Sequence, residues 1–127
     1  PAECFSFFAS LLVFDVLQQR WLPVHGYAVF SANTLHIMSW PAVEALFAGL
    51  PRVLAAAGVL AVYGPFKYGG QFTTPSNAAF DAMLRERDAQ SGLRDFEAVN
   101  ALAETAGLTL QADHAMPSNN QLLVWAR

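Results

Sequence analysis

Two apolar runs, each stopping on residues that break a strand, constrain this chain more than anything else in it. The first lies in YAVFSANTLHIMSW, residues 27–40, and gives way to Ser31, Asn33 and His36. The second is GVLAVYGPF, residues 58–66, and closes on Tyr63, Gly64 and Pro65. Runs so nearly all apolar suit strands covered on both faces. The segment between them is long enough for a crossover helix, which makes the two strands parallel. Parallel strands bring their carboxyl ends together, and polar residues just beyond such ends are where open α/β sheets collect ligands.

The rest of the chain alternates helix and strand signals. Residues 11–16 read as a strand, and residues 5–12 equally as a short helix, because so short a run has no decisive period. Pro41 suits the first turn of a helix whose buried stripe is Val43, Leu46, Phe47 and Leu50. Pro51 is expected to kink or restart it, with helix resuming over 52–56, Gly58 stopping it and 59–63 forming the next buried strand. KYGGQFT, residues 67–73, reads either as a lid over the cleft or as an ordinary tight loop. Thr74 and Pro75 suit the cap and first position of a helix running to about Asp88. Ala79, Phe80, Met83 and Leu84 form its apolar side; Asn77, Asp81 and Arg85, four apart, face solvent or ligand, the last two as a surface pair. Asp95 is placed to cap a helix carrying Phe96, Val99, Leu102 and Ala106, ended by Gly107. Residues 108–115 and 121–125 are strands joined by MPSNN, too short for a parallel crossover, so they form an antiparallel hairpin. The expected class is α/β, a mixed sheet with parallel strands first and an antiparallel hairpin last, flanked by helices.

Composition narrows the function. A chain of 127 residues that is 54% hydrophobic suits one domain with an ample core. Its net charge of -3 and scattered basic residues give no footprint for nucleic acid. Cys4 is alone, which excludes an intrachain disulfide or thiolate metal site and suits the reducing cytoplasm; three scattered histidines do not argue for a metal. Asp15 interrupts the longest apolar stretch before it reaches the roughly 20 residues of a membrane span, and no positive segment marks a signal peptide. The apolar opening PAECFSFFASLLVF is expected to pack on the domain's own core or on a second copy.

Four blocks in order resemble one family: FSANTLHIMSW at 30–40, YGPFKYGGQFTTPSNAAFD at 63–81, GLRDFEAVNALAETAGL at 92–108 and MPSNNQLLVW at 116–125. They are similar to DUF938, a methyltransferase-like family, and over residues 12–127 to the second half of a class I S-adenosylmethionine-dependent methyltransferase. The resemblance implies a partial Rossmann-like methyltransferase fold, with residues 1–127 as one truncated domain. It also implies S-adenosylmethionine as cofactor of complete homologues and a small-molecule acceptor. By position, Asp15 matches the acid that meets the adenine, and Ser31, Ala32 and Asn33 the segment beneath the methionine moiety. His36 and Tyr63 fall near the methyl donor and acceptor as catalytic candidates, His36 as proton acceptor. Asn77, Asp81, Arg94, Asn119 and Asn120 fall on the acceptor side.

The family's class opens with a strand, a glycine-rich turn and a helix, and no G-x-G-x-G turn occurs here. This chain alone is therefore expected to lack cofactor binding and activity. The alternative is a non-catalytic remnant that forms a homodimer through the open edge of the 27–32 strand or through the apolar amino-terminal segment. A hydrolase fits poorly, since there is no G-x-S-x-G elbow and Ser31 with His36 makes no triad.

Overall fold

The computed structural model describes residues 14–15, 20–21 and 26–127. In chain order the elements are β1 (Phe14–Asp15), β2 (Arg20–Trp21), β3 (Gly26–Ala32), α1 (Trp40–Val53), β4 (Leu54–Gly64), β5 (Phe66–Tyr68), β6 (Gln71–Phe72), α2 (Pro75–Arg87), β7 (Arg94–Asp95), α3 (Phe96–Thr105), β8 (Thr109–Met116), a 3-10 turn (Pro117–Asn119) and β9 (Asn120–Ala126). The main sheet has the order β3-β4-β9-β8, with β3 parallel to β4 and the last two strands an antiparallel hairpin. This is the mixed sheet expected. Among the described residues β3 is an edge strand. The expected 11–16 strand is described only as β1, which pairs antiparallel with β2; the rest of the apolar opening lies outside the described residues.

Among the described residues, helices cover one face of the sheet and not the other. Leu60, Val62, Leu123 and Trp125 point to the covered face and are fully buried with Val43, Phe47 and Leu50 of α1 and Val99 and Ala103 of α3. The Phe47 and Trp125 rings meet edge to face at 6.2 Å, and the indole N–H donates to Asn100 Oδ1 at 2.9 Å. On the other face Phe30 is 38% and Val59 37% exposed, and no residue of the row Ala61, Tyr63, Leu122, Val124 is fully buried. Tyr27, on the edge strand, is 79% exposed. Burial on both faces, expected from the apolar runs, is met on one face by the described residues, whose helices α1 and α3 both lie on the same side.

Helix α1 starts where expected, with Ser39 as its cap accepting from the Ala42 N–H. Pro51 falls in the last turn and does not break it; it withholds a donor from the Phe47 carbonyl only. The last carbonyls there are held from outside: Arg127 donates through Nη1 to Pro51 O at 3.0 Å and to Leu54 O. The expected helical stretch 52–56 is corrected to a helix end at Val53 followed by strand. Between Leu54 and Val59 the chain spends five steps opposite two in β3, so a bulge separates α1 from the regular pairing that begins at Val59. Ala57 sits there with φ 61°, and a Cβ on Gly58 would lie 2.7 Å from Ala55 O.

The small sheet β6-β5-β7 was not expected. Its hairpin turns on Gly69 and Gly70, both at positive φ, which is the two-residue turn that glycine serves best. Among the described residues no helix is long and apolar enough to cross a membrane. The bulge yields a stability test by urea unfolding: Ala57→Gly is expected to stabilise by about 1 kcal/mol through relief of the left-handed alanine. Gly58→Ala should destabilise by roughly 1–3 kcal/mol through overpacking.

Candidate functional site

Because β3 and β4 run parallel, their carboxyl ends open side by side, and a cleft of about 510 Å³ lies beyond them. Asn33 and Pro65, the residues that follow the two strands, form its floor. Asn33 is left-handed, at φ 54°, and its N–H donates to Tyr63 O at 2.8 Å, which ties the two strand ends together. One wall is the start of α2, through Ser76, Asn77 and Phe80; the other is the tip of the β8–β9 hairpin, through Ser118, Asn119 and Asn120. Thr74 caps α2 as expected, accepting from the Asn77 N–H at 3.1 Å.

The walls are stitched together. Ser118 and Asn119 are both left-handed at the hairpin tip, and the Asn120 N–H closes the turn onto Pro117 O. Asn77 Nδ2 donates to Thr73 Oγ1 at 3.1 Å and to Asn119 O at 3.4 Å, while Asn119 Nδ2 donates to Ser76 Oγ at 3.2 Å. Asn120 Nδ2 donates to Pro117 O and to the Tyr63 hydroxyl, each at 3.2 Å. The structure therefore gathers Asn33, Asn77, Asn119 and Asn120 on one cleft, with Tyr63 one hydrogen bond away. Among the described residues no charged side chain lines it.

The remaining candidates lie elsewhere. His36 is 5% exposed and sits behind the wall, its ring edge-on to Phe80 at 5.6 Å. Burial, and after it the positive charge of Arg94, lowers its pKa from the ordinary value of 6.5. Asp81 is buried and both of its oxygens accept from the protein, Oδ1 from the Leu93 N–H and Oδ2 from Arg85 Nε. Arg94 donates to main-chain carbonyls and stacks over Trp40 at 5.7 Å. Ser31, the last residue but one of β3, bonds through its hydroxyl to that of Thr34, and Ala32 is exposed at the strand end. Asp15 lies in β1, and its side chain is outside the description. Among the described residues no group of three or more His, Cys, Asp or Glu is arranged for a metal.

The family profile described as "Protein of unknown function (DUF938)" matches residues 9–127. The chain belongs to the DUF938 family. Its structure is also similar to that of an O-methyltransferase family protein from Burkholderia thailandensis, with a TM-score of 0.74 at 14% identity over 91% of this chain and 33% of that one. An O-methyltransferase family 2 protein from Planctomyces limnophilus, in complex with apigenin, gives 0.73 at 17% identity over 84% and 32%. The structure of LepI in complex with SAM gives 0.65 at 21% identity over 85% and 28%. These likenesses establish a methyltransferase-like fold, of which this member of DUF938 has a carboxyl-terminal portion; it spans about a third of the proteins it matches.

Within this DUF938 chain the sequence reading missed Ser76 and Ser118 as cleft residues. Their signal was present in their neighbours, since each follows a proline that fixes a turn or helix start. Two local readings are corrected. The inner side of α2 is Asn77, Asp81 and Leu84, whereas Met83, expected in its apolar face, is 46% exposed. Asp95 occupies the cap position of α3 but makes no capping hydrogen bond, its carboxylate lying 4.0 Å from Lys67 Nζ.

The lowered His36 pKa sets the sign of a pH effect. The unfolded chain takes up the proton first as pH falls below 6.5, so the stability present above that value is lost on the way down through the folded pKa. Thermal unfolding from about pH 8 to about pH 5 should show a steeper loss of Tm for the native chain than for His36→Gln. Equal slopes would count against the assignment.

Proposed function

We propose that this chain carries the acceptor side of an S-adenosylmethionine-dependent methyltransferase-like protein acting on a small molecule. The observation that supports it is the cleft beyond the carboxyl ends of two parallel strands, in a fold similar to that of O-methyltransferases. The residues present fit the methionine end of the cofactor: β3 is open along its edge, and its end offers the Ser31 hydroxyl with exposed Ala32 and Asn33. In this reading Ser31, Ala32 and Asn33 hold that end and Asp15 holds the adenine. The bound cofactor would supply a methyl group on cationic sulfur. His36, kept neutral by burial, accepts the acceptor's proton when the acceptor displaces the Phe80 ring in front of it, and Tyr63, oriented by Asn120, aligns the nucleophile.

The lining supports an uncharged acceptor. The Asn77 and Asn120 amide nitrogens are committed to the carbonyls of Asn119 and Pro117, which leaves their amide oxygens to receive an O–H or N–H. Phe80 and Pro65 offer apolar surface beside them. A carboxylate or phosphate would meet no compensating charge in this lining.

A second reading, self-association without catalysis, draws on the bare sheet face around Phe30 and Val59 and on the open edge of β3. Two copies bring equal apolar rows to such a contact, which a two-fold axis makes self-complementary. Sedimentation across a dilution series should show a reversible dimer for the native chain and a monomer for Phe30→Asp; a monomer throughout removes this reading.

For the leading reading, S-adenosylmethionine is titrated into the chain and followed by amide NMR. We expect shifts at Ser31, Ala32 and Asn33 that saturate only weakly, with a Kd of ~1 mM or above, because no glycine-rich turn holds the rest of the cofactor. Unchanged signals there would overturn the cofactor reading. Stoichiometric micromolar binding would overturn the expectation that this chain alone does not retain the cofactor.

A further inference from the structure

Between β3 and α1 the chain makes a buried turn, and four consecutive carbonyls in it find their donors in one other segment. Arg94 Nε donates to Leu35 O at 3.1 Å and Arg94 Nη2 to Met38 O. The Gly92 N–H donates to His36 O at 2.9 Å, and Ser91 Oγ to Ile37 O at 2.8 Å. The donating segment is held in turn by Asp81 on α2, which takes the Leu93 N–H at 2.8 Å and Arg85 Nε at 2.9 Å. Arg94 also donates to Gln90 O at 2.8 Å, closing its own loop. A continuous path of hydrogen bonds thus runs from α2 through the 91–94 segment into the turn that carries His36.

We propose that Asp81 and Arg94 are positioning residues: they fix the 34–38 turn, and with it His36 behind the Phe80 wall of the cleft. The proposal rests on the reading of His36 as the proton acceptor. It gives Asp81 and Arg94 a different task from contact with the acceptor molecule, and the geometry favours that task. Asp81 is 7% exposed with both oxygens occupied, and neither residue lines the cleft. The planar fork of arginine suits two carbonyls set three residues apart, and a lysine, with a single charged nitrogen, cannot bridge them in the same way. Trp40, under the guanidinium at 5.7 Å, sets its plane. The charge that acts on His36 is that of Arg94 from β7, and Arg94 in turn faces Asp81 and Arg85 from α2.

The test reads His36 in the unliganded chain, so that failure of cofactor binding leaves it intact. The imidazole signals are followed by NMR through a pH titration in the native chain, Arg94→Lys, Asp81→Asn and Ser91→Ala. Arg94→Lys keeps the charge and loses the fork. If Arg94 positions His36, the ring signals shift away from their Phe80-dependent values and the midpoint climbs toward 6.5. If Arg94 acts by charge alone, both stay where they were. Ser91→Ala removes one hydroxyl and serves if the charged variants do not fold. Exchange of the Ile37 and Met38 amides, bonded to Thr34 O, should then quicken roughly tenfold. Unchanged His36 signals in folded Arg94→Lys, or unchanged exchange in Ser91→Ala, would overturn the proposal.

Discussion

The parallel pairing of β3 with β4 is the constraint from which the site follows. It sets Val29 beside Leu60 and Ser31 beside Val62, and it delivers both chains to the same end of the sheet. There the backbone must turn away, and Asn33 does so in a left-handed conformation that asparagine tolerates better than most residues. Its N–H on Tyr63 O fixes how far apart the two exits lie. A cleft at this place is therefore a product of topology, and side chains decide only what it can recognise.

Leaving the sheet also exposes a cost that the rest of the chain has to meet. The turn after β3 is buried, since Leu35, His36 and Met38 all lie inside, so its carbonyls cannot rely on water. Charged side chains serve them from behind, with Asp81, Arg85 and Arg94 compensating one another, while the cleft in front is lined by amides and hydroxyls. This separation keeps the described lining of the cleft uncharged and places Arg94 where it disfavours a proton on His36.

The main elements were legible because they rest on period and turn chemistry. The β3, β4 and hairpin strands carry long apolar runs, and Pro41, Thr74 and the MPSNN turn mark chemically where the two helices and the hairpin turn begin. The asparagines of the cleft were legible through the resemblance, by the order of their blocks. What could not be read was polar structure made by partners distant in sequence. Asn77, Asp81 and Leu84 look like a mixed helix face, yet they turn inward, because Leu93 and Arg85 satisfy Asp81 and the hairpin tip accepts from Asn77. Hydrogen bonds to main-chain atoms leave no periodic trace. The two-strand pairing of β5 with β7 was invisible for the same reason, each partner being too short to show a pattern.

The apolar runs also signalled two buried faces, of which the described helices cover one. Rows such as Ala61, Tyr63, Leu122 and Val124 are apolar enough for an interior, and yet α1 and α3 both lie across the sheet from them. Periodicity reports what a face is suited to meet, and only the number and side of the helices determine what covers it. In the proteins similar to this chain, about two thirds of the length lies outside the matched part. A sheet face of this chemistry favours burial against a further layer over contact with water, whether that layer comes from more polypeptide or from a second copy. The same demand reaches the cleft, because Ala32 and Tyr63 belong to the face away from α1 and α3 while Asn33 and Asn120 begin where it ends. Any layer over that face sits directly beside the Tyr63 hydroxyl, so the packing of that face and the chemistry of the cleft are one structural problem.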